Sequence, residues 1–395
     1  MSSNRLVLSR LEEIVGDTVG SFENLTGRKK QKKILKECEK RLEDFDEMMM
    51  DSYKENQSTP EEYEKKIKIV DDIKDCLRSR NFSDFLDCKK LVVNAVSPFG
   101  STITNLGTKK GDLDIIISLS YTDQRTLPTK TKRVNEILRE IFDKLQWQQM
   151  LKNRKIKKLE HISTARVPII ACIIDGIDID ISVCLEPRIS TAYLSAHVIN
   201  INGVYDSRFE PFCAYVKKWF KSFIDPKKEE ECKKYIPKSS VISLMVLHFM
   251  CHYKFLPFVH QVHPEKLHPE QVTWKMVRAG ELGAFGIEKS DVVKWKDENS
   301  QTESLAVLFI LFLDYYTQII DLRSKVLVIK DASIRTKRNK NHRSLAISDV
   351  YDSVTNPASA IHDVGRLISL MNEKKQEMLE LLEEEESDED EEDDE

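Results

Sequence analysis

At 395 residues, 41% apolar and 32% charged, the chain has room for two domains and a well-buried core, and it fits a globular protein carrying a charged extension. The formal net charge of −5 hides an asymmetry: residues 383–395 are acidic at every position except Ser387, and without those twelve acids the body carries about +7. That balance suits a polyanionic partner but falls short of a strongly basic DNA-binding domain. Eight scattered cysteines without a Cys-x-x-Cys point to reduced thiols, and hence to a cytoplasmic or nuclear protein. The N-terminus lacks the apolar core of a signal peptide, and the longest apolar run, Leu305 to Leu313, is too short to span a bilayer, so no membrane partner is expected.

Residues 1–57 are charged and helix-prone, and are read as an accessory extension; Arg28-Lys29-Lys30-Gln31-Lys32-Lys33 within it suits a solvated helix face, a nuclear import signal or a nucleic-acid contact. Ser58-Thr59-Pro60-Glu61-Glu62 opens a helix, with a capping hydroxyl, proline in the first turn and acids at the positive dipole end. Ile67, Val70, Ile73 and Leu77 continue it at helical spacing. Val92 to Val96 reads as a strand leading into Gly100-Ser101, a small-residue turn whose N–H groups and hydroxyl suit a triphosphate.

Asp112 and Asp114 then enter the β-branched run Ile115-Ile116-Ile117. On a strand, residues two apart share a face, so the two carboxylates aim together and repel unless a cation neutralises them. Hard oxygen ligands of this kind suit Mg²⁺ shared with substrate phosphates. A helix from about Lys130 to Gln149 and two strands, about 165–174 and 177–183, complete a small mixed sheet with helices against it. Asp178 and Asp180 lie on one face of the second strand. From about residue 190 the apolar residues keep helical spacing, through 212–223, 241–249 and 304–320. The acidic tail contains no apolar residue and is expected to be disordered; Ser387 within it suits an acidophilic kinase.

The ordered set Gly100-Ser101, Asp112-x-Asp114, Arg166-Val167-Pro168-Ile169 and Asp180-Ile181-Ser182 resembles the terminal uridylyltransferase and template-independent poly(A) RNA polymerase family of the DNA polymerase β-like nucleotidyltransferases, over roughly residues 60 to 370. The resemblance implies an α+β fold: a polymerase-β-like palm at 58–188 and a mostly helical poly(A)-polymerase-associated domain at 189–375, with the acidic tail 383–395 beyond. It implies template-independent addition of UMP or AMP to RNA 3′ ends from UTP or ATP. Asp112 and Asp114 would be shared ligands of two Mg²⁺ (or Mn²⁺) ions, and Asp180 the ligand and base on the attacking-hydroxyl side. Lys217 and Lys221, one helical turn apart, match the family's triphosphate-binding lysines. Ser239 matches its phosphate-contacting serine. Ser240 replaces the tyrosine that stacks on the base, leaving Tyr205 and Tyr235 as candidate substitutes. Residues 345–358 match the nucleotide-recognition loop through Asp349 and Asn356, with Thr355 where uridine-selective members often carry histidine.

Arg335 to Arg343 reads as a basic loop suited to RNA phosphates, and since no RNA-recognition module appears, RNA specificity is expected from a protein partner. His248 and His252 share a helix face without the intervening Glu of a zinc enzyme, which favours packing over a metal site. Two other readings remain at this point: an inactive RNA-binding or scaffold subunit, and a transferase acting on a non-RNA acceptor.

Overall fold

The computed structural model describes residues 28–78, 91–121, 131–146, 154–164, 167–185, 198–259, 272–299, 303–338, 343–348 and 356–383. In chain order the elements are α1 (Arg28–Asn56), α2 (Pro60–Leu77), β1 (Leu91–Phe99), β2 (Leu113–Tyr121), α3 (Thr131–Gln146), β3 (Ile156–Ile162), β4 (Ile169–Ile174) and β5 (Ile177–Leu185). They continue with α4 (Phe209–Ser222), α5 (Ser239–His252), α6 (Trp274–Ala279), α7 (Leu305–Asp314), β6 (Lys325–Val328), β7 (Ser333–Thr336), β8 (Ala346–Ser348) and α8 (Val364–Glu383). Among the described residues no helix is long and apolar enough to cross a membrane.

Two compact units form. One comprises 56–204 and 259–291; the other comprises 1–55, 205–258 and 292–395. This division cuts the chain differently from the segmentation read in the sequence. Residues 259–291 fold with the sheet-bearing unit rather than with the helical one, and residues before 56 belong to the helical unit.

The first unit is built on a five-stranded sheet of order β1-β2-β5-β4-β3, in which only β2 and β5 run parallel. Apolar residues at alternate strand positions (Ile115, Ile117, Ile179, Ile181, Ile170, Ile174) form one buried layer with Ile69, Val70 and Ile73 of α2 and Ile137, Leu138 and Ile141 of α3. α2 starts where its sequence says: the Thr59 hydroxyl accepts from the Glu62 N–H (3.2 Å), and the Glu62 carboxylate accepts from the Thr59 N–H (3.0 Å). The edge strand β3 was not expected. Its charged sequence, Ile156-Lys157-Lys158-Leu159-Glu160, and a register shift between Lys157 and Glu160, with Lys158 at φ 49°, break the alternation a strand shows.

In the helical unit, α4, α5 and α7 meet through an aromatic core in which Phe249 and Phe312 lie 6.1 and 5.8 Å from Phe212. α1 is part of this core rather than an accessory extension. Met49 is fully buried, and Phe45 packs on Tyr215 and Phe309 at 5.6 and 6.4 Å. The Asp46 carboxylate accepts from the Ala306 N–H (2.6 Å), satisfying a free donor in the first turn of α7. A second, three-stranded sheet of order β7-β6-β8 also interrupts the expected helical half. Its strands of three or four residues are too short to show a period.

His248 is fully buried on α5, its Nε2 3.3 Å from the Ser333 carbonyl and its Nδ1 3.4 Å from the Tyr315 hydroxyl. Burial, with a smaller contribution from His252 and against the opposing Ser333 carbonyl and Asp331, pushes its pKa down to about 4. The folded protein thus holds His248 neutral while the unfolded chain protonates it near pH 6.5, so its contribution to stability is lost as pH falls from about 6.5 towards 4. At full effect this is worth up to about 3 kcal/mol. A His248→Gln protein should therefore lose less melting temperature than wild type between pH 7 and pH 5. Parallel thermal denaturation curves at the two pH values check this.

Candidate active site

The site is built on β2 and β5. Their parallel register sets Asp114 directly beside Asp180, on the face opposite the buried Ile115 and Ile181. Asp112 sits at the mouth of β2 and is exposed, and Asp178 is exposed two residues before Asp180. The Cα partners Phe99 and Asp114 bring the end of β1 to the same place, and β1 runs straight into a 3₁₀ turn at Gly100–Thr102.

Gly100 has φ +59°, and a Cβ there would collide with Asp114 Oδ2. Glycine is needed twice over, for the left-handed backbone and for the close approach of the turn to the carboxylate. Gly100-Ser101 is thus the floor against which Asp114 rests.

The electrostatics follow from this crowding. Burial first, then Asp112 and Asp180, push the Asp114 carboxyl up to about 7, with Lys66 opposing. Burial, Asp112 and Asp178 also raise Asp180. Among the described residues no three acidic, histidine or cysteine side chains close into a preformed metal cage. The donor set nevertheless fits a hard divalent cation: three carboxylate side chains at one end of β2 and β5, two of them held above their ordinary range by burial and by their acidic neighbours. Asp112, Asp114 and Asp180 would hold it.

Lys66 lies beside these carboxylates and was missed by the sequence reading. It is buried on α2, donates from Nζ to the Asp112 carbonyl (3.2 Å), and lies near enough to feel Asp112, Glu62 and Asp114. A signal was present: Lys66 falls on the stripe of Ile69, Val70 and Ile73 that α2 buries, where a charge needs a partner.

The remaining candidates lie in the helical unit. Lys217 is half-buried on α4, its pKa lowered by burial and by Lys221, while Lys221 is exposed in the helix's last turn. Ser239 and Ser240 are exposed in the first turn of α5, which no side chain caps. Tyr205 does not replace the missing base-stacking tyrosine, because it is buried against Trp295. Tyr235 is partly exposed, with its hydroxyl 3.4 Å from Cys232 Sγ.

Asn356 spends its side chain on its own loop: Nδ2 donates to the Leu345 carbonyl (2.8 Å), and Oδ1 accepts from the N–H groups of Ile347 (3.1 Å) and Ala358 (3.0 Å). It shapes the loop. Asp349 and Thr355 lie outside the described residues, as does the acidic tail beyond Glu383. In the expected basic loop, Lys337 is buried and donates to the carbonyls of Leu322, Arg323 and Ser344, so it is not available to RNA.

Residues 45–195 match the family model described as the central palm domain of mitochondrial-like poly(A) RNA polymerase. That match covers less than half of the chain, and what it shows, with the structural likeness below, is a palm of the polymerase-β-like fold. The family resemblance read from the motifs agrees with this. The chain is 24% identical over 265 residues to Protein HESO1 of Arabidopsis thaliana, covering 66% of this chain and 47% of the relative. It is 23% identical over 269 residues to terminal uridylyltransferase 7 of Homo sapiens, covering 65% and 16%. It thus spans less than half the length of the curated relatives it matches. The structure of the GLD-2/RNP-8 complex superposes with a TM-score of 0.62 at 18% identity, over 87% of this chain and 99% of that one, and shows the same fold.

Two outcomes follow from the crowding at Asp114. In EDTA at pH 8, Asp114→Asn should raise the melting temperature, because it removes an unbalanced buried charge worth about 1–3 kcal/mol; calorimetry checks this. Gly100→Ala should destabilise by more than about 1 kcal/mol on its own. Much of that collision should vanish when it is combined with Asp114→Ala, so a double-mutant cycle by urea denaturation should show favourable coupling.

Proposed function

We propose that the chain is a template-independent RNA terminal nucleotidyltransferase that adds UMP from UTP to RNA 3′ ends. One observation carries the reading: Asp114 and Asp180 stand side by side on the parallel strands β2 and β5, with Asp112 just before β2 and the Gly100 turn closed onto Asp114. In this reaction the RNA 3′-hydroxyl oxygen bonds to the α-phosphorus, the bond to pyrophosphate breaks, and the hydroxyl proton must be taken up. Asp180 is on the strand nearer the sheet centre, and its raised proton affinity suits that uptake. Asp112 and Asp114 would share the Mg²⁺ (or Mn²⁺) ions, whose chemistry when bound is to neutralise charge on the triphosphate and lower the pKa of the attacking hydroxyl.

The Ser101 hydroxyl and the N–H groups of its turn would take triphosphate oxygens; in the helical unit, Lys217, Lys221, Ser239 and Ser240 are the positions that resemble the family's nucleotide contacts. Uridine is favoured over adenosine by the relative named as a terminal uridylyltransferase. With Tyr205 buried and Ser240 unable to stack, base contact falls to other side chains, and RNA choice to a protein partner.

The test is extension of a 5′-labelled RNA oligonucleotide with Mg²⁺ and each ribonucleoside triphosphate in turn, resolved on a denaturing gel. UTP should give ladders that ATP, CTP and GTP give at least about tenfold more weakly, and an Asp112→Ala/Asp114→Ala protein should give none. Equal extension with ATP would overturn the base assignment. RNA binding without any extension would overturn the enzyme reading in favour of a scaffold subunit.

A further inference from the structure

The turn that carries Gly100-Ser101 is hung on polar contacts more than it is packed. Ile103 and Leu106 are its buried apolar anchors, and beneath it lies a polar cavity of about 20 Å³ bounded by Tyr63, Lys66, Ser101, Thr102 and Arg278. Thr102 Oγ1 is buried there without a hydrogen-bond partner. Apolar packing alone therefore does not fix where Ser101 stands.

Two residues far away in sequence supply the missing constraint. Asn200, almost fully buried, grips the turn at both ends of its amide: Oδ1 accepts from the Asn105 N–H (2.9 Å), and Nδ2 donates to the Ile103 carbonyl (2.8 Å). The same Nδ2 donates to the Val277 carbonyl (2.6 Å) in the last turn of α6, a carbonyl that also accepts from the Gly280 N–H (3.1 Å). The next residue, Arg278, donates from Nη1 to Asn105 Oδ1 (2.8 Å) and lays its guanidinium over the Tyr63 ring of α2 at 4.7 Å. Ser58, just before α2, donates its N–H to the Gly107 carbonyl (3.1 Å) and closes the bracket on that side. The turn is thus pinned between α2, the helical segment at 198–205 and α6, each contact going to a backbone group or side chain of residues 103–107.

We infer that Arg278 and Asn200 are positioning residues that hold the Gly100–Leu106 turn so that Ser101 and its N–H groups meet the triphosphate. The inference rests on the nucleotidyl-transfer reading for its kinetic consequence, but the mechanical clamp itself does not. This is why residues 272–280, more than 150 positions along the chain, belong with the sheet. Arg278 is suited to the task because one planar group both stacks and donates; lysine at that place keeps the charge and loses the plane.

The test uses the full chain with Arg278→Ala, Arg278→Lys and Asn105→Ala, avoiding Asn200, whose removal takes away the amide that bonds Ile103, Asn105 and Val277 at once and risks unfolding. Hydrogen exchange of the amides of residues 101–106 is read first, without nucleotide. Exchange at least about tenfold faster in Arg278→Ala, with the strand amides of β2 and β5 unchanged, supports the clamp. Unchanged exchange overturns it, whether or not the protein extends RNA.

In the extension assay, Arg278→Ala and Arg278→Lys should both raise KM for UTP about tenfold while KM for RNA stays within twofold. Combining Arg278→Ala with Asn105→Ala should cost little more than either alone. A KM for UTP at the wild-type value, KM for both substrates rising together, or effects that multiply would refute the positioning role. A wild-type protein that extends nothing removes the catalytic reading and leaves the clamp to be judged by exchange alone.

Discussion

Everything in the sheet-bearing unit answers to one unfavourable interaction, the repulsion among carboxylates held on neighbouring strands. Asp114 and Asp180 are adjacent because β2 and β5 pair in parallel register, and the strands cannot drift apart because Ile115, Ile117, Ile179 and Ile181 lock their other faces into the apolar layer under α2 and α3. A one-residue slip would turn those isoleucines outward, so the same packing that stabilises the fold also fixes the charges. Lys66 and the Gly100 turn are the local adjustments to that strain. The lysine brings a cation to the Asp112 carbonyl, and the glycine lets the backbone reach Asp114.

A parallel pair cannot be closed by a hairpin, and the route from β2 to β5 shows how the chain manages it. It leaves through α3, which covers the apolar face, then adds β3 and β4 at the far side, and returns along β5 between β4 and β2. The active strands end up central, and β1 and β3 take the edges. β1 as an edge can afford Pro98, whose missing N–H would break a central ladder, and this is the residue that leads into the Gly100 turn. β3 as an edge carries Lys157 and Lys158, charges that discourage further strand pairing.

What could be read in the sequence was whatever obeys a short period. Asp112 and Asp114 were legible because strand alternation puts them on one face, Asp180 because its Asp-Ile-Ser strand resembles the family motif where alternation alone left Asp178 beside it, and the start of α2 because its capping box is local. Residues whose meaning depends on distant partners were not. Arg278 has no neighbour in sequence that reveals its bond to Asn105, and Asn200 looks like any polar residue until the turn it grips is folded beside it. Phe45 and Met49 sat in a segment so charged that its apolar stripe was read as an extension, although that stripe completes the aromatic core. β6, β7 and β8 are each shorter than the window in which alternation can be recognised.

The same distinction separates polar residues that act from polar residues that build. Lys337 and Asn356 look, in sequence, like an RNA-contacting cation and a base-reading amide. Folded, Lys337 gives its ammonium hydrogens to three carbonyls, and Asn356 spends its amide on Leu345, Ile347 and Ala358. Each is satisfied by backbone that would otherwise lack partners, which is how a segment with strands of three or four residues keeps a defined shape. Because Lys337 binds the Ser344 carbonyl and Asn356 the Leu345 carbonyl, the two hold consecutive residues at the entry to the 345–358 loop. Both side chains are consumed by the fold: what Lys337 and Asn356 do in this chain is hold Ser344, Leu345, Ile347 and Ala358 in place.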